Sequence, residues 1–438
     1  MKYTELRTPS YIVQEGALVK NLKILKRVRE EAGVKILLAE KSFSMYRVYP
    51  LIARYLDGTT ASGICEARLA HEEFVRPGTR EGAGQGRGCP ENHVFEPAYK
   101  PEEMRELCGI CTHIYFNSLA QLELHRPVWE PYQKAGKIRI ALRINPEFST
   151  QEGHAIYDPC APGSRLGIRK SRLPERLPEG VTGLHFHTLC EQGTEPLIET
   201  FRSIEKNFPE YLRQIRWINM GGGHHITRAD YDVPRLIAFL REVKERWGLD
   251  IWLEPGEAVA LNAGTLITKV LDIVETEDMP TLILDASAAC HMPDVLEMPY
   301  TPPLSGALEA RSPAEAADCA GRGAAEPAAC EDGATAADSC GTAVQEGPAA
   351  PETRGQWVRL ASRTCLAGDV IGLYRLPEVP ENGDILTFGD MAIYSMVKNN
   401  TFNGMLLPDI VLERDSLAED RFEIVKQFGY RDFKERLS

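Results

Sequence analysis

Eight short β-rich runs fill the first 254 residues, at 34–39, 58–62, 93–97, 112–117, 137–145, 181–188, 214–220 and 250–254. Segments of helical period separate most of them. Leu18, Leu22, Leu25 and Val28 make one apolar stripe, and 66–74, 101–107, 118–129 and 234–247 follow the same rule. Eight β/α units in about 250 residues is the count of a closed parallel barrel, a (β/α)8 TIM barrel. An open doubly wound sheet is the competing arrangement, but no G-x-G-x-x-G opens the first unit. After residue 254 the pattern changes. Runs at 265–276, 281–286, 357–362, 369–373 and 384–388 read as strands without crossover helices, which points to a separate β-domain. The expected division is a strand within 1–13 that joins the β-domain, a barrel over 14–258, and a C-terminal β-domain over 259–438.

Two stretches interrupt this order. Residues 77–91 are Gly-rich, and 306–355 are dominated by Ala, Glu, Pro, Gly and Asp. The second cannot bury enough surface to offset its ordering entropy and is expected to be disordered. It holds Cys319, Cys330 and Cys340. The net charge of −13 argues against binding nucleic acid or an anionic membrane surface. No run is apolar for long enough to span a bilayer, and the first residues lack a signal-peptide pattern. Eleven cysteines cannot all pair, and Cys108-x-x-Cys111 has no second pair. A cytoplasmic protein with reduced thiols is expected.

In a barrel of this kind the C-terminal strand ends build the site. Lys41 follows the first strand directly, in LLAEKSF, where an amine can attack a carbonyl. His185 and His187 end the sixth strand and share a face. They read either as a metal pair or as one ring stacking on an aromatic cofactor while the other packs. Gly221, Gly222 and Gly223 follow the seventh strand and let backbone N–H groups approach an anion. Glu254 ends the eighth, where a carboxylate can pair with a pyridine nitrogen.

Together with TPSYIV, KILLAEKSF, LDGTTASGICEARL, GLHFHTLCEQ, WINMGGGHHIT, LEPGEAVALNAG, DASAACHMPDVLEMPY, SRTCLAGDVIG and GDMAIYSMVKNNTFNGM, these residues give a chain that resembles the fold-type III pyridoxal phosphate (PLP) enzymes of the alanine racemase/ornithine decarboxylase type. Within them it is most similar to the carboxynorspermidine (carboxyspermidine) decarboxylase branch, over all but the two insertions. The resemblance implies a PLP-dependent carboxy-lyase of polyamine biosynthesis, with a small cationic carboxy-triamine as substrate and norspermidine or spermidine as product. It implies that Lys41 carries the cofactor and His187 stacks on it. Gly221, Gly222 and Gly223 would hold its phosphate, Tyr394 would contact the cofactor or its phosphate, and Glu254 would pair with its ring nitrogen. It also implies a homodimer with active sites at the interface. Cys365 and Asp369 would reach across it, Cys365 as the proton donor to Cα and Asp369 toward the substrate.

The chain departs from its wider family at Glu257, where ornithine and diaminopimelate decarboxylases have Arg. A carboxylate there would repel a phosphate and suits a cationic substrate better. Asp294 and Glu297 are the other acids expected near the substrate's distal amine, with structural salt bridges as the competing reading for each. Glu40, beside Lys41, is expected to face the other way. A diaminopimelate, ornithine or arginine decarboxylase of the same fold is the alternative function. A metal-dependent hydrolase built on His185 and His187 and a non-catalytic PLP-binding protein are the readings from other classes.

Overall fold

The computed structural model describes residues 3–75, 89–151, 158–312, 355–414 and 421–438. The expectations for 77–88 and 313–354, with Cys319, Cys330 and Cys340, therefore lie outside the described residues. The chain opens with β1 (Ser10–Gln14) and the helix Glu15–Ala32, which buries Leu18, Leu22, Leu25 and Val28. The helix stops where Gly33 turns left-handed at φ 63°, a conformation that glycine adopts without a Cβ clash.

The barrel strands are β2 (Lys35–Ala39), β3 (Gly58–Ala61), β4 (Glu91–Phe95) and β5 (His113–Phe116). They continue as β6 (Arg139–Arg143), β7 (Val181–His185), β8 (Trp217–Asn219) and β9 (Asp250–Leu253). Each pairs in parallel with the next, and β2 with β9, so the sheet closes. Alternation sets the two faces. Ile36 and Leu38 turn outward into the layer packed by the helices, while Leu37 turns inward beside Tyr115, Ala141, Trp217 and Trp252. Two tryptophans fit inside because Gly183 leaves room. A Cβ there would lie 2.2 Å from the Trp217 ring. The interior is thus a packed core, and the free volume is at its mouth.

The remaining strands form one nine-stranded sheet. They are β10 (Gly264–Val274), β11 (Thr281–Leu284), β12 (Glu309–Arg311), β13 (Gln356–Ser362), β14 (Val370–Leu376), β15 (Ile385–Phe388), β16 (Asp409–Glu413) and β17 (Phe422–Lys426). β1 joins this sheet, antiparallel to β10 and parallel to β16. The first strand of the chain therefore ties the sheet to the barrel's first helix. The structure corrects one boundary. Residues 309–311, which composition assigns to disorder, pair with β14. Backbone pairing, the Glu309–Arg375 ion pair and Arg311 stacked 4.5 Å from the Trp357 ring hold them, not burial. Among the described residues no helix is long and apolar enough to cross a membrane.

Candidate active site

The chain turns sharply after β2, and the turn sends Glu40 and Lys41 to opposite sides. Glu40 is fully buried and accepts from the Tyr49 hydroxyl at 2.8 Å. Burial pushes its carboxyl well above the usual range. Lys41 opens onto a cavity of about 530 Å³ at the barrel mouth. Burial, with Arg143 nearby, lowers its ammonium below the ordinary lysine value.

The partner of Lys41 is His187, with Nε2 3.2 Å from Nζ. The other ring nitrogen, Nδ1, accepts the Gly222 backbone N–H at 3.0 Å. A neutral imidazole that accepts at Nδ1 carries its proton on Nε2. That proton points at Nζ, and only an uncharged amine has the lone pair to receive it. The two contacts together therefore select the nucleophilic form of Lys41. They also occupy both nitrogens of His187, so a metal pair with His185 does not form. Among the described residues, Glu91, His93 and His113 bring possible ligand atoms within 4.8 Å of one another. The Lys35 ammonium already sits on Glu91, and the two imidazoles stack at 3.8 Å instead of converging on a point.

Glu254 lies beneath, between His185 and Asn219. Burial alone would raise its carboxyl, but His185 at 3.3 Å holds it down to about 2. The Asn219 amide donates to its Oε1 at 2.6 Å. Sequence reasoning missed Arg143, a buried guanidinium 4.4 Å from the Phe95 ring that donates to the His187 carbonyl. Burial brings it down to about 10. A second cavity of about 510 Å³ opens on its side of Lys41.

The glycine run does less than expected as an anion cradle. Gly221 gives its N–H to Asn219 Oδ1 and Gly222 gives its own to His187. Only Gly223 of the three lines the cavity, joined by Gly256. The run must be glycine for a different reason. Gly221 and Gly223 have φ of 70° and 82°, and a Cβ would lie 2.5 Å from the Phe186 carbonyl oxygen and 1.8 Å from that of Leu189, respectively.

The sheet domain covers the mouth. Tyr394 lines the cavity, and its N–H donates to the Ser42 carbonyl next to Lys41. Glu257 lines it and meets His225 at 2.5 Å. Asp294 also lines it but is held by the Lys398 ammonium. Glu297 binds the same ammonium at 2.7 Å and does not line the cavity, which corrects its expected place. Two unforeseen acids, Glu191 and Asp390, do line it, and burial raises both carboxyls. Both sit at left-handed φ, 54° and 53°, as Tyr394 does at 47°. Non-glycine residues in that region gather at functional sites.

Cys365 is exposed and outside its own chain's cavity, with Sγ 3.1 Å from Asn403 Oδ1. Asp369 is buried. Its carboxylate already accepts from the hydroxyls of Ser287, Ser362 and Thr364 and from the Ala289 N–H. Within its own chain it holds the 362–369 turn that presents Cys365.

Residues 43–392 match the pyridoxal-dependent decarboxylase family with its C-terminal sheet domain. The chain is 35% identical over its full length to carboxynorspermidine/carboxyspermidine decarboxylase of Campylobacter jejuni, covering all of that protein. It is equally similar, at 35%, to carboxyaminopropylagmatine decarboxylase of Synechocystis sp., covering 97% of it. The crystal structure of carboxynorspermidine decarboxylase from Campylobacter jejuni complexed with norspermidine superposes with a TM-score of 0.80 at 33% identity, over 98% of this chain and all of that one. The chain belongs to the pyridoxal-dependent decarboxylases.

The Glu257–His225 pair gives a stability signature. Burial would lower the His225 imidazole, but Glu257 overrides it and holds it above its ordinary value. A raised histidine stabilises fully below its unfolded value, about 6.5, and loses that contribution as pH climbs through the folded one. Glu257→Gln is therefore expected to cost about 1.5 kcal/mol below that value, with the gap to wild type closing as pH climbs through the folded value. Urea unfolding across this range checks it; a gap that widens with pH would contradict the pairing.

Proposed function

We propose that the chain decarboxylates carboxynorspermidine, carboxyspermidine or both, yielding norspermidine or spermidine, with PLP held at the barrel mouth. One observation carries this choice of substrate. The amine of Lys41 opens onto a cavity whose walls hold Glu191, Glu257, Asp294 and Asp390, an arrangement matched to a molecule bearing several ammonium groups.

The residues present fit the cofactor. The uncharged Lys41 amine would hold it covalently. Gly223 and Gly256, where no side chain intrudes, and the Tyr394 hydroxyl would serve its phosphate. Glu254, ionised despite its burial, would keep a proton on the ring nitrogen, and His187 would pack against the ring. When bound, PLP supplies the electron sink for the carbanion left at Cα once CO2 departs.

This chain's own groups do the rest. The cavity acids bind the ammonium groups and set the substrate's reach. The sheet domain covers the mouth and limits water. Asp369 holds the turn that carries Cys365, whose thiol donates the proton to Cα in the other subunit of a homodimer.

The Synechocystis relative favours a second reading, a substrate that ends in a guanidinium group. Glu257 weighs against the smaller diaminopimelate, ornithine and arginine substrates, since the phosphate-binding Arg of ornithine and diaminopimelate decarboxylases is absent there.

CO2 release by PLP-loaded protein from carboxynorspermidine, carboxyspermidine, carboxyaminopropylagmatine, meso-diaminopimelate and L-ornithine distinguishes these. Selective turnover of a carboxy-triamine is expected; preference for the guanidinium compound would move the assignment to the second reading. Cys365→Ala is expected to slow product formation at least about 100-fold, the usual scale of a lost general acid, with PLP still bound. Unchanged turnover would remove Cys365 from the mechanism.

A further inference from the structure

Glu254 is one end of a buried chain of hydrogen bonds that none of the roles above uses. The Gly221 N–H donates to Asn219 Oδ1 at 2.9 Å. A backbone amide can only donate, so this contact fixes which end of the Asn219 side chain is oxygen. The two N–H groups of that side chain then go to Glu254 Oε1 at 2.6 Å and to Tyr115 Oη at 2.7 Å. Tyr115 Oη accepts there, which leaves its own proton for His93 Nδ1 at 2.6 Å. An imidazole accepting at Nδ1 carries its proton on Nε2, and His93 Nε2 lies 3.0 Å from Glu91 Oε2. Glu91 begins β4, at the opposite end of the barrel interior. Trp252 Nε1 at 2.7 Å and the Lys35 ammonium hold it there. Every proton position between Gly221 and Glu91 follows from the first contact. Asn219, Tyr115 and His93 are wholly buried, so no water competes for these bonds.

We propose that Asn219, Tyr115 and His93 are positioning residues. They form a proton-ordered chain that pins Glu254 through Oε1 and ties the Gly221 turn to the same frame. The acid meant for the cofactor's ring and the loop beside its phosphate then move as one unit. The proposal rests on the reading of Glu254 given above. Asn219 is its hub, because its single amide serves the turn, the acid and the chain at once. Tyr115 is the sensitive link. Without its hydroxyl, one Asn219 N–H and His93 Nδ1 lose their partners in the core, and only the Gly221 N–H still holds the amide against the pull of Glu254.

Tyr115→Phe keeps the ring in its packing and removes only the oxygen. The test compares it with wild type by equilibrium dialysis of PLP, by steady-state kinetics and by nitrogen NMR of [15N]histidine-labelled protein. The signal missing in His93→Gln identifies His93. Wild type is expected to show His93 protonated at Nε2 and not at Nδ1. Tyr115→Phe is expected to bind PLP about 3- to 10-fold more weakly, the effect of about one net hydrogen bond. It should lower kcat with KM unchanged and lose the His93 signature. A purely structural role would not produce that split. His93 protonated at Nδ1 in wild type, or unchanged PLP affinity and kcat in the variant, would overturn the proposal. The wild-type spectrum decides even if the variant fails to fold. Wild type that binds no PLP but shows the Nε2–H form would support the ordered chain and overturn the function proposed above.

Discussion

Moving the Lys41 amine out of water disfavours its proton, and its surroundings add to that effect. Burial and the neighbouring Arg143 disfavour the ammonium, and the Nε2–H of His187 needs a lone pair opposite it. That tautomer exists because Gly222 gives its N–H to Nδ1. Gly222 can do so because the glycine run threads between the ends of neighbouring strands with no Cβ in the way. A lysine on one strand, a histidine on another and a turn after a third are thus bound by one hydrogen-bonding rule. The closed barrel brings all three to the same rim.

The same rim separates charge by function. Below it, Glu254 stays ionised between His185 and Asn219. Above it, the sheet domain and the loops after the strands contribute carboxylates: burial raises those of Glu191, Asp294 and Asp390, and Lys398 and His225 offset the charge of Asp294 and Glu257 in part. An acid whose charge is costly where it sits gains most from an incoming cation. The cavity is therefore suited to an extended polycation, and a short amino acid would leave part of it unmatched.

Much of this was legible in the sequence, and the reasons differ by element. All eight barrel strands announce themselves, because both of their faces are buried and β-branched and aromatic residues crowd each run. Lys41, His187, Glu254 and Tyr394 meet at one cavity, as the resemblance implied. The helix Thr194–Asn207 was missed although Leu197, Ile198, Phe201 and Ile204 form a stripe that periodicity could have found. β16 and β17 are short and partly exposed, so their sequences show little alternation. Glu191 and Asp390 enter the cavity through left-handed backbone positions that no residue pattern signals. Asp294 and Glu297 looked alike as free acids because their shared partner, Lys398, lies about a hundred residues away. The spending of the Gly221 and Gly222 amides depends on Asn219 and His187, which only the closed barrel places beside them.

Borohydride reduction of PLP-loaded protein, followed by peptide mass mapping, tests the central claim most directly. A phosphopyridoxyl label on Lys41, absent from Lys41→Ala, is the result predicted by the burial and hydrogen bonding of that amine. A label on Lys398 or another lysine, or none at all, would contradict it.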